Sequence, residues 1–135
     1  MKKFLLLFSL ITLLGCESNE NFSRCDILNP VTINLVNPQF INLIPGGWAY
    51  ASGGPKGLII YNINNISYKA FSRECPHLNT CTQALVVENH LKMVCPCDDA
   101  AFSILDGSPQ TPGVNDAVCE FKVIRQGDIL FISNF

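Results

Sequence analysis

The sequence predicts an all-β domain, built as an antiparallel sandwich or a small barrel. Apolar segments of strand length follow one another, clusters of Gly, Pro and Asn separate them, and no segment shows a sustained helical period with caps. The chain has 135 residues, of which 48% are hydrophobic, which suits one small domain with its own core. A disordered or collagen-like chain is excluded by this composition.

The first fifteen residues, MKKFLLLFSLITLLG, are expected to be a cleaved secretory signal. Lys2 and Lys3 precede an apolar core at residues 4–14 that is too short for a stable membrane span. Residues 13–16 resemble the lipobox of bacterial lipoproteins, which implies a diacylglyceryl group on Cys16 and cleavage before it. Residues 16–29 are then expected to be a lipidated N-terminus and a flexible tether. An ordinary secretory signal is the alternative.

Ten segments from residue 30 onward are predicted to be strands, because short apolar or alternating runs end at turn residues. Residues 62–65 and the pair Gly127 and Asp128 are predicted turns, and no internal repeat is found. We therefore expect one β domain over residues 30–135. The predicted strands are 31–36, 39–44, 48–51, 57–63, 66–71, 83–88, 90–94, 100–105, 119–125 and 128–133.

The charge of the chain argues against nucleic-acid binding. Nine Lys and Arg stand against eleven Asp and Glu, and from Cys16 onward seven basic residues remain, a net charge of about −4. Nucleic-acid recognition calls for a basic face, which this composition does not offer. No long apolar run follows residue 15, so no membrane-spanning helix is expected in the mature chain.

The cysteines carry the sharpest signal. With Cys16 lipidated, six of the seven cysteines remain, an even number that allows three disulfides outside the cytoplasm. Fifteen connectivities are possible, and metal binding stays open beside them. The six cysteines are Cys25, Cys75, Cys81, Cys95, Cys97 and Cys119.

Two segments, CPHLNTC at 75–81 and CPCDD at 95–99, resemble the Rieske iron–sulfur family. Cys75 and His77 form a Cys-x-His, and after seventeen intervening residues Cys95 opens a Cys-x-x-Asp ending at Asp98. The family pattern is Cys-x-His followed by Cys-x-x-His, in which two Cys hold one iron of a 2Fe–2S cluster and two His the other. The resemblance implies a Rieske-like antiparallel β sandwich or barrel with an inserted loop subdomain at about residues 72–113.

The resemblance extends beyond the ligand positions. Cys81 and Cys97 are similar to the additional cysteine pair that bridges the two cluster loops in cytochrome bc-type members. Leu78 matches the apolar residue that shields the cluster, and Phe102 matches the aromatic after the second loop. Residues 111–113, Thr-Pro-Gly, resemble the third loop that covers the site.

The fourth ligand of the family is absent, because Asp98 stands where the family has His, and Asp99 replaces the usual Gly. A carboxylate there would lower the cluster potential and remove a ring N–H. The signal also lacks the twin Arg that marks export of folded cargo, so an unfolded chain is expected to reach an oxidising compartment. The preferred interpretation is a cluster-free domain with no cofactor.

Without a cluster, the family fold implies a disulfide pairing. The two former iron ligands Cys75 and Cys95 lie close enough to join, beside the pair Cys81 and Cys97. The pair left over is Cys25 with Cys119. Each bridge would contribute about 2–4 kcal/mol to a domain of this size.

Two other site chemistries stay open, besides an unrelated β fold. The first is a 2Fe–2S cluster held by Cys75, His77, Cys95 and Asp98, which would make the chain an electron-transfer subunit of an oxidoreductase. The second is a single divalent ion such as zinc on His77 with Asp98, Asp99 or His90. His90 precedes a predicted strand and is expected to be a surface residue.

No catalytic set is predicted, so we do not expect an enzyme. Ser72 and Ser103 lie in no Gly-x-Ser-x-Gly context, and Glu74 is expected to be a solvated loop residue. The paired glycines at 46–47 and 53–54 lack the Lys-Ser/Thr partner of a phosphate loop. The aromatic residues Trp48, Tyr50 and Phe71 are expected in the core.

The expected function is an accessory binding or structural module of a cell-envelope complex. Its expected partners are membrane lipid through Cys16 and an envelope protein, without nucleic acid. Glu17 follows the lipidated cysteine instead of the Asp that retains lipoproteins at the inner membrane in the best-known bacteria. We therefore expect the outer membrane as the location.

Overall fold

The computed structural model describes Cys25 and residues 29–135. The expected signal segment 1–15, the expected lipidation site Cys16, and residues 17–24 and 26–28 of the expected tether lie outside the described residues. In the described part, no helix has the length and apolarity that a membrane crossing requires. The nine strands of this part are β1 (Val31–Asn34), β2 (Trp48–Ala51), β3 (Leu58–Asn62), β4 (Tyr68–Ser72), β5 (Val86–Glu88), β6 (Lys92–Val94), β7 (Ala101–Ser103), β8 (Glu120–Gln126) and β9 (Ile129–Ser133).

The strands form two antiparallel sheets, which confirms the predicted all-β class. The larger sheet has the order β1-β9-β8-β4-β3-β2, and the smaller has the order β5-β6-β7. The smaller sheet is inserted in the chain between β4 and β8, which pair with each other through Ala70 opposite Phe121. An ion pair of 2.7 Å between Lys69 and Glu120 spans the same junction. The loops that carry the cysteine motifs therefore leave from and return to neighbouring strands.

Strand β3 is buried on both faces, and its side chains divide between two hydrophobic cores. Ile59 and Tyr61 face the core that also contains the cysteine loops, whereas Leu58 and Ile60 face the core closed by β1, β8 and β9. A run of consecutive apolar residues is typical of a strand covered on both sides. Through β3, the cysteine loops pack directly on the large sheet, one strand in from its β2 edge.

The predicted strand at residues 39–44 is wrong, because Pro38–Phe40 form a 3₁₀ turn. The proline has no N–H for a strand ladder, and Asn37 before it accepts a backbone hydrogen bond as an N-cap. Phe40 and Leu43 are both buried, three residues apart. That spacing is typical of a helical turn and not of the alternation of a strand.

Asn62 ties this irregular segment to the end of β3. Its fully buried side chain donates from Nδ2 to Leu43 O and to Asn65 Oδ1, both at 2.8 Å. Its Oδ1 accepts from Asn65 N at 2.7 Å. The predicted turn at residues 62–65 indeed connects β3 to β4, and Asn65 has the positive φ of 66° that asparagine tolerates.

We expect Asn62→Ala to lower the free energy of unfolding by about 2–3 kcal/mol, because Leu43 O and Asn65 N lose a buried partner. Urea denaturation followed by intrinsic fluorescence measures the loss. Asn64→Ala is the matched control, since its carboxamide accepts hydrogen bonds at an exposed turn where water can replace it. Equal losses in the two variants would contradict the role assigned to Asn62.

Candidate functional site

Two loops of the inserted segment meet at the site. The first loop, residues 73–85, connects β4 to β5, and the second loop, residues 95–100, connects β6 to β7. The second loop is a tight turn in which Cys95 N donates to Ala100 O at 2.8 Å and Asp99 N to Cys95 O at 2.9 Å. Asp99 has a φ of +62°, in the left-handed region where the Rieske-type pattern has Gly.

Three disulfides staple this region. One bond joins two of the expected cluster-ligand positions, one in each loop. A neighbouring bond joins the same two loops again. The third connects the tether to the residue before β8. The pairs and their Cα–Cα distances are Cys75–Cys95 at 5.6 Å, Cys81–Cys97 at 5.9 Å and Cys25–Cys119 at 5.0 Å, and these are the pairs that the family resemblance implied.

The two loop disulfides are in contact with each other. The sulfur of Cys81 lies 3.5 Å from that of Cys75 and 3.8 Å from that of Cys95, and we call these three atoms the sulfur triangle. All three cysteines are disulfide-bonded and carry no S–H, so these are van der Waals contacts and not hydrogen bonds. The three residues are buried, whereas Cys97 is exposed.

His77 and Asp98, the two remaining cluster-ligand positions, bind each other. Nε2 of His77 donates to Asp98 Oδ2 at 2.5 Å, while Ala100 N donates to Asp98 Oδ1 at 3.1 Å. The hydrogen bond from His77 lowers the pKa of the Asp98 carboxyl below its ordinary value of 3.8. The other ring nitrogen of His77, Nδ1, is buried and has no hydrogen-bond partner in the part of the chain that the structure describes.

The donor atoms, as they are paired, do not fit a 2Fe–2S cluster. Such a cluster needs thiolates from Cys75 and Cys95, and the sulfurs of a disulfide supply none. The carboxylate of Asp98 is already the acceptor of His77. Among these four described ligand positions, only the unpartnered Nδ1 of His77 is a donor free to bind iron, and one imidazole nitrogen does not hold a cluster.

The donors considered for a single divalent ion do not form a group of three among the described residues, since His77 contacts Asp98 but neither Asp99 nor His90 joins this pair. In the part of the chain that the structure describes, the sole group of three Cys, His, Asp or Glu donor atoms within 4.8 Å is the sulfur triangle. His90 is exposed, as expected, and its Nδ1 accepts from Trp48 Nε1 at 3.2 Å. Asp99 is exposed next to Asp98.

The residues that matched the surroundings of the cluster lie around the same loops. Phe102 is fully buried, and its ring centroid is 5.8 Å from that of His77. Leu78 packs on the same core. In the third loop, Thr111 Oγ1 accepts from Ala101 N at 2.9 Å, whereas the Pro and Gly at 112 and 113 are exposed.

The other residues weighed for catalysis form ordinary local contacts. Ser72 is buried, and its Oγ accepts from the backbone N of Glu74 at 3.2 Å. Ser103 Oγ accepts from Leu105 N at 3.1 Å in an exposed turn. These contacts stabilise the backbone of two loop ends.

A clamp that the sequence did not predict fixes the first loop to the large sheet. The guanidinium carbon of Arg73 lies 3.8 Å from the centroid of the Tyr50 ring, and Arg73 Nε donates to Leu85 O at 2.9 Å. Tyr50 OH accepts from Val87 N at 3.1 Å. Tyr50 is 36% exposed and lies at the edge of the core, not inside it as expected. Phe71 is fully buried, as expected.

Lys56 is a second residue that sequence reasoning missed. Its Nζ donates to the backbone O of Cys81 at 2.5 Å. It also lines a cavity of about 640 Å³ together with His77, Glu74 and Asp116, beside the Cys25–Cys119 bond. Sequence spacing gives no signal for these contacts, because two strands, β3 and β4, separate Lys56 from Cys81 along the chain.

Comparison with known proteins bears on the fold. No family model and no curated protein matches the chain. One similar solved structure is the ferredoxin of carbazole 1,9a-dioxygenase from Nocardioides aromaticivorans IC177, with a TM-score of 0.52 and 17% identity over 79% of this chain and 99% of that chain. Another is the complex of reduced oxygenase and oxidized ferredoxin in carbazole 1,9a-dioxygenase, with a TM-score of 0.46 and 18% identity over 66% of this chain and 82% of that chain. The fold is Rieske-like.

Asp98→Asn is expected to destabilise the protein at pH 5 and to lose its effect toward pH 2. A carboxyl whose pKa is lowered by folding stabilises the folded state above its ordinary value of 3.8, and this contribution disappears as the pH falls through the lower folded value. The pair is partly exposed, so the effect is small. Guanidinium denaturation midpoints from pH 2 to 5 measure it.

Asp99→Asn is the control, because asparagine keeps the left-handed backbone and removes a neighbouring charge. A difference between wild type and Asp98→Asn that stays constant over this pH range, or an equal effect of Asp99→Asn, would contradict the assignment.

Proposed function

We propose that the protein is a lipid-anchored Rieske-fold module of the bacterial cell envelope that works without an iron–sulfur cluster. In this proposal it is a binding or structural subunit of an envelope complex and not an enzyme. The observation that carries the proposal is the Cys75–Cys95 disulfide, which occupies both thiolate positions of one iron and lies in contact with Cys81.

The chemistry of the four ligand positions supports this state. Two cysteines are joined, and the His77–Asp98 pair satisfies the carboxylate that replaces the usual imidazole. An oxidising envelope compartment favours both loop disulfides, whereas assembly of a cluster requires reduced thiols. The pairing therefore agrees with the unfolded export expected from the signal sequence.

Exposed apolar residues at one end of the small sheet support a protein partner. Leu91 is 60% exposed in the turn between β5 and β6, and Leu105 is 54% exposed after β7. A hydrogen bond of 3.1 Å from Ile104 N to Leu91 O brings these two turns together. Adjacent exposed leucines favour a contact surface, which the rigid, disulfide-stapled loops would present.

The lipobox at residues 13–16 supports attachment to a membrane. Acyl chains on Cys16 contribute about 0.8 kcal/mol for each buried CH₂ group, so several chains hold a small domain at the bilayer surface. Glu17 supports the outer membrane as the location.

An electron-transfer protein with a 2Fe–2S cluster is the second candidate. It is favoured by the buried Nδ1 of His77, which has no partner in the described residues, as a metal ligand would before metal binds. In this case Cys75 and Cys95 would be reduced and would hold the cluster together with His77 and Asp98.

Metal and thiol analysis of the full chain from membranes separates the two candidates. We expect a colourless protein, iron far below the two atoms of a cluster, and no thiol that reacts in denaturant. The double variant Cys75→Ser/Cys95→Ser is the control and is expected to leave both the iron content and the thiol count unchanged. A brown protein with a paramagnetic signal on reduction, whose iron is lost in the double variant, would refute the cluster-free state.

Cys16→Ala is expected to move the protein from the membrane fraction to the soluble envelope fraction, because the acyl chains are lost. A photo-cross-linking residue introduced at position 91 reports contact with the partner in the same cells. The yield of the cross-linked product is expected to be lower in Cys16→Ala than in the acylated protein. Cys25→Ala serves as the matched control and keeps the protein in the membrane. Retention of Cys16→Ala in the membrane would contradict the anchor.

A further inference from the structure

We propose that the two adjacent loop disulfides form a thiol–disulfide exchange site, which takes an electron pair from a protein dithiol through Cys97. This inference rests on the proposed cluster-free state, because exchange needs both loop disulfides in place. It goes beyond a structural role for them. The observation that carries it is the contact between the Cys81–Cys97 and Cys75–Cys95 bonds, together with the unequal exposure of the four cysteines.

Exposure decides where an outside thiol can attack. Cys97 is exposed, whereas the exposed fractions of Cys75, Cys81 and Cys95 are 3%, 4% and 0%. A disulfide is exchanged when a thiolate attacks one of its sulfurs, and access selects the sulfur. A partner thiolate therefore reaches Cys97 first.

The first step transfers the bond from Cys81 to the partner. A new S–S bond forms between the partner sulfur and Cys97, the Cys97–Cys81 bond breaks, and the electron pair of that bond leaves on the Cys81 sulfur as a thiolate. The Cys81 thiolate is then buried inside the sulfur triangle, away from further outside thiols.

The second step passes the electron pair to the inner disulfide. The Cys81 sulfur lies 3.5 Å from Cys75 and 3.8 Å from Cys95, so it lies beside the inner bond at nearly equal distances from both ends. Release from Cys97 frees the Cys81 side chain to turn into line with the bond. Attack on Cys75 forms a Cys81–Cys75 bond and releases the Cys95 thiolate.

The second thiol of the partner completes the exchange. It attacks the partner sulfur of the mixed disulfide, forms the partner disulfide and releases Cys97 as a thiolate. The partner loses two electrons and two protons, and both protons end on the released sulfurs of Cys97 and Cys95. The protein then holds one loop disulfide in place of two.

The charges around the outer bond favour this direction. The ammonium group of Lys56 donates to the backbone oxygen of Cys81, which places a positive charge next to the residue whose sulfur leaves as thiolate. Asp98 and Asp99 follow Cys97 directly, and their negative charges disfavour the alternative first attack, on Cys81, which would release Cys97 before the partner is bound. Lys56 is thus a positioning residue for the first step.

Cys97→Ser in the full lipoprotein tests the inner step. This variant leaves a Cys81 thiol beside the Cys75–Cys95 bond, which still joins the two loops. Acid quenching, alkylation and non-reducing peptide mapping are expected to find the free thiol shared among Cys75, Cys81 and Cys95. A free thiol confined to Cys81 would overturn the proposal. Cys119→Ser is the control, and we expect about tenfold less alkylation of Cys75 and Cys95 in it.

Wild-type protein with reduced glutathione as the probe tests the outer step. The expected product is a glutathione adduct on Cys97, with a new thiol on Cys95 or Cys75. Lys56→Gln is expected to slow adduct formation about tenfold, and Lys56→Arg to restore it, which a purely structural role would not produce. Adducts that form on Cys25 or Cys119 as fast as on Cys97 would overturn the proposal. Iron in the sample would instead refute the proposed function, whereas a colourless protein that does not exchange refutes this inference alone.

Discussion

Two covalent bonds between the same two loops determine the rest of the site. Because Cys75–Cys95 and Cys81–Cys97 join the first loop to the second, the residues between these cysteines are brought together. His77 lies between Cys75 and Cys81, and Asp98 directly follows Cys97, so the paired loops place the imidazole beside the carboxylate that it binds.

The cross-linked loops owe their position to the large sheet. Strand β3 is buried on both faces, so its Ile59 side supports the loop core while its Ile60 side supports the other core. The contact of Arg73 with Tyr50, and the hydrogen bond from Val87 N to the Tyr50 hydroxyl, hold both ends of the first loop on β2. The disulfide-linked loops are therefore held on the large sheet by contacts that do not involve the disulfides, and exchange of a loop disulfide leaves these contacts in place.

Much of the fold could be predicted from the sequence, because its signals are local. The apolar run of β3 and the turn at residues 62–65 are visible in the sequence. The strand predicted at residues 39–44 is wrong, because Pro38 and the three-residue spacing of the buried Phe40 and Leu43 favour a helical turn. The disulfide partners followed only from the resemblance to a known loop pattern. The His77–Asp98 bond and the contact of Lys56 with Cys81 could not be predicted, since each depends on where folding places distant segments.

The interleaving of the loop disulfides separates their roles from that of the third. Cys81–Cys97 spans 16 residues and overlaps the 20 residues spanned by Cys75–Cys95, and closing a loop of this length contributes about 3 kcal/mol. Once either bond is formed, the other closes only short segments and adds much less to folding. Cys25–Cys119 spans 94 residues and has no such substitute. The first step of the exchange can therefore open Cys81–Cys97 while Cys75–Cys95 still joins the two loops, a condition that a single structural bond does not meet.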